Sequence, residues 1–278
     1  MIKLFQDVSH ECSRYTTKCY SSSFISAIKM LHKDLRTPVY NIYGFVRFAD
    51  EIVDTFHGHD KAQLLQEFKQ DTWLAIERKI SLNPILNSFQ DTVHKFHIDQ
   101  YLIEAFFCSM EIDIEATSHD EQSYKQYIFG SAEAVGLMCL FVFCNGDKRS
   151  YEMLKPSAQA LGAAFQKVNF LRDLKADYEH LNRIYFPGVD FRMFTAEAKK
   201  QIEQDIAIDF EAAYKGILNL PVKARFGVYV AYKYYLSLFK KIKKTQPEVI
   251  LENRIRIHSY SKFFILIRAG LKSQLNLI

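Results

Sequence analysis

From Gln166 to Asp177 the chain reads Gln-Lys-Val-Asn-Phe-Leu-Arg-Asp-Leu-Lys-Ala-Asp, and no other stretch constrains its fold as tightly. Gln166, Asn169, Asp173 and Asp177 stand at i, i+3, i+7 and i+11, so on a helix turning about 100° per residue they share about 80° of arc. Just upstream, Ala160, Gly162, Ala163 and Ala164 are small, which lets this helix pack closely on neighbours while one stripe stays polar. A polar stripe flanked by core residues is costly unless something satisfies it. The segment therefore calls for a helical fold and for a partner to the stripe.

The rest of the chain agrees. Only 10 Gly and 6 Pro punctuate 278 residues, which disfavours a many-turned β-sandwich or a Gly-rich nucleotide-binding fold. Thr37-Pro38 reads as an N-cap and first helical residue, opening a helix to about Phe56, before the loop at His57-Gly58-His59. Asp60 caps the next helix, Asp99 opens one to about Ala116, and Asp120 opens one running through Tyr127 to Cys144. A long helix is predicted from Pro156 to about Asn182, then an irregular stretch around Phe186-Pro187-Gly188. Thr195 and Pro221 mark two more starts, and Pro247 precedes a final helix over about 248–272. No linker or repeat interrupts the series, so residues 1–278 read as one all-α domain, a bundle of about eight to ten helices around a central cavity. One domain of roughly 250–300 residues is within the allowed size. The 23 Phe and 16 Tyr supply a large core or a greasy lining.

A second acidic helix lies in the one opened near Pro38. In Arg47-Phe48-Ala49-Asp50-Glu51-Ile52-Val53-Asp54, the charged Arg47, Asp50 and Asp54 share a face at spacings of three and four, whereas Phe48, Ile52 and Val53 do not. Alone, this DxxxD pair reads first as an exposed ion-pair stripe, the more frequent role of such a pattern. Beside the 166–177 stripe it means more. Two helices each offering DxxxD across a bundle gather four carboxylates whose repulsion needs cations. Mg²⁺ binds through one or two carboxylates, keeps waters and takes further oxygens from phosphate. Arg47 and Arg172 can hold outer phosphate oxygens. The implied chemistry is ionisation of a diphosphate ester, with metal as Lewis acid and leaving-group template.

Taken with Tyr20-Ser21-Ser22-Ser23-Phe24, Tyr43, Tyr127-Ile128-Phe129-Gly130, Val135-Gly136, Ala160-Leu161-Gly162 and Arg183-Ile184-Tyr185-Phe186-Pro187, these blocks make the sequence similar to the squalene/phytoene synthases over about residues 15–270. QxxNxxRDxxxD followed by RIYFP is the most specific part. The resemblance implies an isoprenoid synthase-type helical bundle with a central apolar cavity. Asp50, Asp54, Asn169, Asp173 and Asp177 would be metal ligands or their close supports, holding about two or three Mg²⁺ ions with substrate diphosphate. Ser21, Ser23, Arg47, Gln166 and Arg172 would bind diphosphate; Phe24 and Tyr43 would border the cavity; Tyr127 and Tyr234 match active-site tyrosines. The activity implied is head-to-head joining of two geranylgeranyl diphosphates to phytoene through prephytoene diphosphate, a step of carotenoid biosynthesis. A squalene or dehydrosqualene synthase using two farnesyl diphosphates is the alternative. A non-catalytic assembly or binding protein of the same fold is the second, disfavoured by the intact aspartates. NADPH is not expected.

The sequence departs from the family pattern at Tyr20, where many relatives have His, and at Glu133, where a small residue is common. The segment from Arg254 to Ser259 resembles a basic family segment that often carries proline. The five Cys are odd in number, with no CxxC pair, so thiols are expected reduced and the protein cytoplasmic. No apolar stretch at the amino terminus is long enough for a signal peptide. The longest apolar run, Ala134 to Cys144, falls short of the ~20 residues of a membrane span and reads as a core helix. Residues 240–278 carry nine Lys/Arg against two Glu. They read first as a solvated helical tail, or else as a region attracted to diphosphates or making peripheral contact with anionic lipid headgroups. Without a recognised motif the charge does not point to nucleic acid. Oligomeric state is not set by the sequence.

Overall fold

The computed structural model describes residues 2–115, 118–181, 183–189, 194–257 and 259–274. In chain order the helices are α1 (Ile2–Tyr20), α2 (Ser22–Ile28), α3 (Lys33–Thr55), α4 (Lys61–Arg78), α5 (Pro84–Phe96), α6 (Gln100–Glu115), α7 (Glu121–Ile128), α8 (Ala134–Cys144), α9 (Lys148–Leu181), α10 (Ala196–Asn219), α11 (Val222–Lys243), α12 (Pro247–Glu252) and α13 (Ser259–Gln274). A π turn, Phe129–Glu133, joins α7 to α8. Among the described residues there is no strand, only an isolated parallel bridge between Ser118 and Ile184.

Local chemistry explains most helix ends. Asp60 and Thr195 accept from the backbone N–H groups of Gln63 and Ala198, and Asp120 forms a full capping box with Ser123. Two prolines mislead. α3 begins at Lys33, not at Pro38, because the His32 N–H is held by the Lys223 carbonyl at 2.9 Å and Leu35 is buried. α9 begins at Lys148, not at Pro156. Its cap is Asp147, which accepts from the backbone of Arg149 and Ser150 and from the Ser150 hydroxyl. Both prolines sit inside helices whose early turns are secured by packing and capping, which offsets the lost hydrogen bond. The predicted final helix is broken in two. Residues 253–257 run without helix and bury Ile255 between exposed Arg254 and Arg256.

One continuous hydrophobic core threads the bundle. Residues Glu121–Cys144 are long and apolar enough, by length and composition, to cross a membrane. Here they form core helices interrupted by the π turn, against α3, α6 and α9. Two glycines permit that packing. A β-carbon on Gly130 would meet the Ala105 carbonyl oxygen at 2.2 Å, and one on Gly162 would meet that of Ala132 at 2.6 Å. Backbone touches backbone at both points, which only Gly allows. The π turn re-aims the chain there, as such turns do at functional sites. Ser131, Ala132, Val135 and Gly136 face a cavity.

Candidate active site

A cavity of about 500 Å³ lies along the bundle axis, walled by α2, α3, α8, α9, α10 and α11 and the π turn. Its walls are mostly apolar and often small, with Ala132, Gly136, Ala158, Gly162, Ala213 and Gly216 along its length. Phe24 packs on Tyr43, Phe165 and Tyr235, and Phe165 stacks on Tyr235 with ring centroids 3.9 Å apart. One end is polar: Ser21, Arg47, Asp50, Gln166, Asn169, Arg172 and Arg254 all line it.

The acids of α3 and α9 meet at this end. Burial and the neighbouring Asp54 push the Asp50 carboxyl up to about 7. Burial, then Asp173 and Asp54, push that of Asp177 up to about 8. Asp54 acts on Asp177, which puts the two acidic stripes within electrostatic reach of each other across the bundle. Asp113 of α6 joins them, buried and pushed up to about 6. These carboxyls stay reluctant to ionise together because low-dielectric surroundings and like charges both oppose it.

Cationic side chains hold part of this charge. Arg183 donates to Asp54 at 2.9 Å and to the backbone carbonyls of Asp113 and Val53 at 2.7 and 3.3 Å. It reaches them because the chain turns back after α9, with the Arg183 N–H on the Asp177 carbonyl, and Ile184 bridges to Ser118. Tyr127 and Tyr185 donate to the two Asp113 oxygens at 2.7 and 3.1 Å. Arg172 pairs with Asp173, and Arg254 approaches the same carboxylate at 2.6 Å from the break between α12 and α13. Arg47 pairs with Glu51 and lies 4.3 Å over the Tyr20 ring. A cation–π contact thus fills the position where relatives often carry His.

Among the described residues no three His, Cys, Asp or Glu side chains stand close enough to hold an ion unaided. The donor set nevertheless fits Mg²⁺. Crowded carboxylates with arginines alongside suit an ion that completes its shell with water and phosphate oxygen.

The placement of the other sequence candidates is specific. Ser21 lines the cavity and caps α2, accepting from Phe24 N–H at 3.1 Å; Ser23 is not at the cavity wall. Asn169 accepts from the Tyr235 hydroxyl at 3.3 Å and donates to Gln166 at 3.4 Å. Tyr235 rather than Tyr234 faces the chamber, because adjacent residues on a helix point about 100° apart. Tyr234 is buried elsewhere. Glu133, the last residue of the π turn, does not line the cavity: it accepts from Gln159 of α9 at 2.8 Å. Asp113, Arg183 and Arg254 were not singled out for a role from sequence. Arg183 sits in the quoted RIYFP block and Arg254 in the basic segment, so signals existed for both. Asp113 had none, since a lone acid in α6 is unremarkable until the fold buries it.

The fold and site together define a class of architecture, a helical bundle with a greasy chamber whose one polar end is lined by acids and arginines. The squalene/phytoene synthase sequence profile matches residues 17–261, and the chain belongs to that family, whose members are prenyltransferases that condense isoprenyl diphosphates. It is 28% identical over 170 residues to a presqualene diphosphate synthase of Rhodopseudomonas palustris, a match covering 60% of this chain and 58% of that protein's length. It is 23% identical to a phytoene synthase of Arthrospira platensis, covering 96% of this chain and 94% of that one. A crystal structure of a dehydrosqualene synthase in complex with a ligand shares the fold, with a TM-score of 0.82 at 19% identity, covering 97% of this chain and 98% of the other.

Proposed function

We propose that the chain is a Mg²⁺-dependent prenyltransferase that joins two isoprenyl diphosphates head to head. The observation that carries this reading is the convergence of the α3 and α9 aspartates at the one polar end of an apolar chamber. Bound Mg²⁺ would neutralise a diphosphate and ease its departure, held by Asp50, Asp54, Asn169, Asp173 and Asp177. Arg47 and Arg172, with Arg254, grip the outer phosphate oxygens and stabilise the charge that builds as the C–O bond breaks. Ser21 and Gln166 complete the diphosphate contacts. The rings of Phe24, Tyr43, Phe165 and Tyr235 exclude water and offer π-faces to the allylic cation, which the double bond of the second chain captures. Loss of a proton then closes a cyclopropylcarbinyl diphosphate, whose own C–O bond breaks in turn, with rearrangement and loss of a second proton giving the hydrocarbon and a second free diphosphate. The first proton passes to released diphosphate, or to the Tyr127 oxygen at the chamber wall as the Tyr127 O–H proton moves on to Asp113, which already accepts that hydrogen bond.

For chain length we propose twenty-carbon substrates and phytoene as product. Small side chains such as Gly136, Ala158, Gly162 and Gly216 in the lining leave room for long chains, and the phytoene synthase relative aligns over nearly all of both chains. Fifteen-carbon substrates are the second reading, favoured by the names of the presqualene diphosphate and dehydrosqualene synthases. Purified protein given geranylgeranyl and farnesyl diphosphates side by side, with Mg²⁺ or chelator, is expected to release diphosphate only with Mg²⁺ and to yield a forty-carbon hydrocarbon. A thirty-carbon product alone would establish the second reading. Absence of diphosphate release from either substrate would end the enzymatic one.

A further inference from the structure

α13 has two unlike faces. Ala269 is buried, and Ile265 and Leu266 pack partly into the core against α11. On the other side Tyr260, Phe263, Phe264, Ile267 and Leu271 fall at i, i+3, i+4, i+7 and i+11, a single stripe about 100° wide. All five are exposed: both Phe residues by 61%, Leu271 by 55%. A continuous apolar stripe on a surface helix marks an interaction site.

Its rim is cationic. Arg268 and Lys272 flank the stripe on α13 itself, which contains no acid. Lys272 and Lys240 both act on Lys233 of α11, so these three charges are neighbours. Lys240, Lys241, Lys243 and Lys244 stand exposed where α11 ends. A second copy docking through this face would set cationic rim against cationic rim, an unfavourable pairing. A surface that accepts bulky apolar groups at its boundary and presents negative charge complements both features.

From this complementarity we infer that the outer face of α13 docks the protein on an anionic lipid bilayer, with Phe263, Phe264, Ile267 and Leu271 entering the headgroup boundary and Arg268, Lys272 and Lys240 meeting phosphate headgroups. The location adds to the case. α13 packs on α11, and Lys262 donates to Ser22 of α2 at 2.9 Å; both α2 and α11 line the chamber. The docked face therefore lies one helix layer from a site proposed to take lipid chains and release a hydrocarbon. The docking goes beyond the catalytic reading and is measured without substrate, so either can fail alone.

The experiment is flotation of the full chain with vesicles of equal parts phosphatidylglycerol and phosphatidylcholine, against phosphatidylcholine alone, at low and high salt. Binding is expected on the anionic vesicles, weakening with salt. Joint Phe263→Ser and Phe264→Ser replacement should abolish it, and Lys272→Ala should weaken it about fivefold. If the double variant fails to fold by circular dichroism, Lys272→Ala with Arg268→Ala, both on exposed positions, decides the matter by its loss of binding. No flotation, equal flotation on both vesicle types, or unchanged binding by the charge variants overturns the inference. So does a concentration-dependent dimer in light scattering that Phe264→Ser dissolves, which would give the face to a second copy.

Discussion

Two polar seams run along α3, one facing α1 and α5 and the other facing α6 and the end of α9, and they are satisfied in opposite ways. In the first, Asn41 donates to Thr92 at 2.9 Å, Ser13 and Ser88 share a 2.7 Å hydrogen bond, and Asn87 donates to Ser9 at 3.0 Å. Every group is neutral and finds its partner inside the fold. Gly44 lets α1 approach, since a β-carbon there would meet the Ser13 hydroxyl at 2.8 Å. In the second seam Asp50, Asp54, Asp113 and Asp177 crowd one another, and Arg183 relieves only part of the repulsion. Buried polarity that closes on itself holds a fold together. Buried charge left partly unmatched keeps a place for a ligand, at a cost in stability.

The contrast breaks most sharply under substitution of the acids. Asp54→Ala and Asp173→Ala should each lower turnover by about a thousandfold or more, with helical content by circular dichroism unchanged. Wild-type rates in both would make the second seam structural, like the first. Arg183→Ala comes next. It leaves buried carboxylate unpaired, so urea unfolding should show a loss of about 3–5 kcal/mol, and Arg183→Lys should not restore it because one ammonium cannot reach three acceptors.

In the first seam Asn41→Ala should cost about 1–3 kcal/mol in the same assay through the hydrogen bonds lost at Thr92 and His10, with kcat/KM kept. A large loss of activity there would erase the distinction between the seams. A further test is in pH. Asp177, Asp50 and Asp113 have folded pKa values above their unfolded ones, so the folded state binds more protons between about pH 4 and 8. Stability of the metal-free protein from these groups should therefore fall as pH rises through that window. Thermal melts with chelator check this, and Asp177→Asn should flatten the slope.

Much of the second seam was legible in the sequence because helical spacing sets which side chains share a face: Asp50 with Asp54, and Asn169 with Asp173 and Asp177. Caps such as Asp60, Asp120 and Thr195 were legible for a similar reason, since their hydrogen bonds are made within a few residues. Pro38 and Pro156 were not, because tertiary packing of Leu35 and capping by Asp147 outweighed the local preference of proline. Nor was the first seam: Ser, Thr and Asn scattered over α1, α3 and α5 have no pattern until the helices are apposed.

By itself, then, the sequence determined that the chain is helical, which residues form each acidic stripe, and the family to which it belongs; these follow from periodicity and from contiguous motifs. Tertiary structure alone decided that the stripes converge, that Asp113 and Arg183 stand between them, that Arg254 arrives through a broken helix, that Glu133 turns away and Tyr235 turns inward. Those outcomes depend on how helices distant in the chain are apposed and rotated, and side-chain direction at a junction changes by about 100° with a single residue.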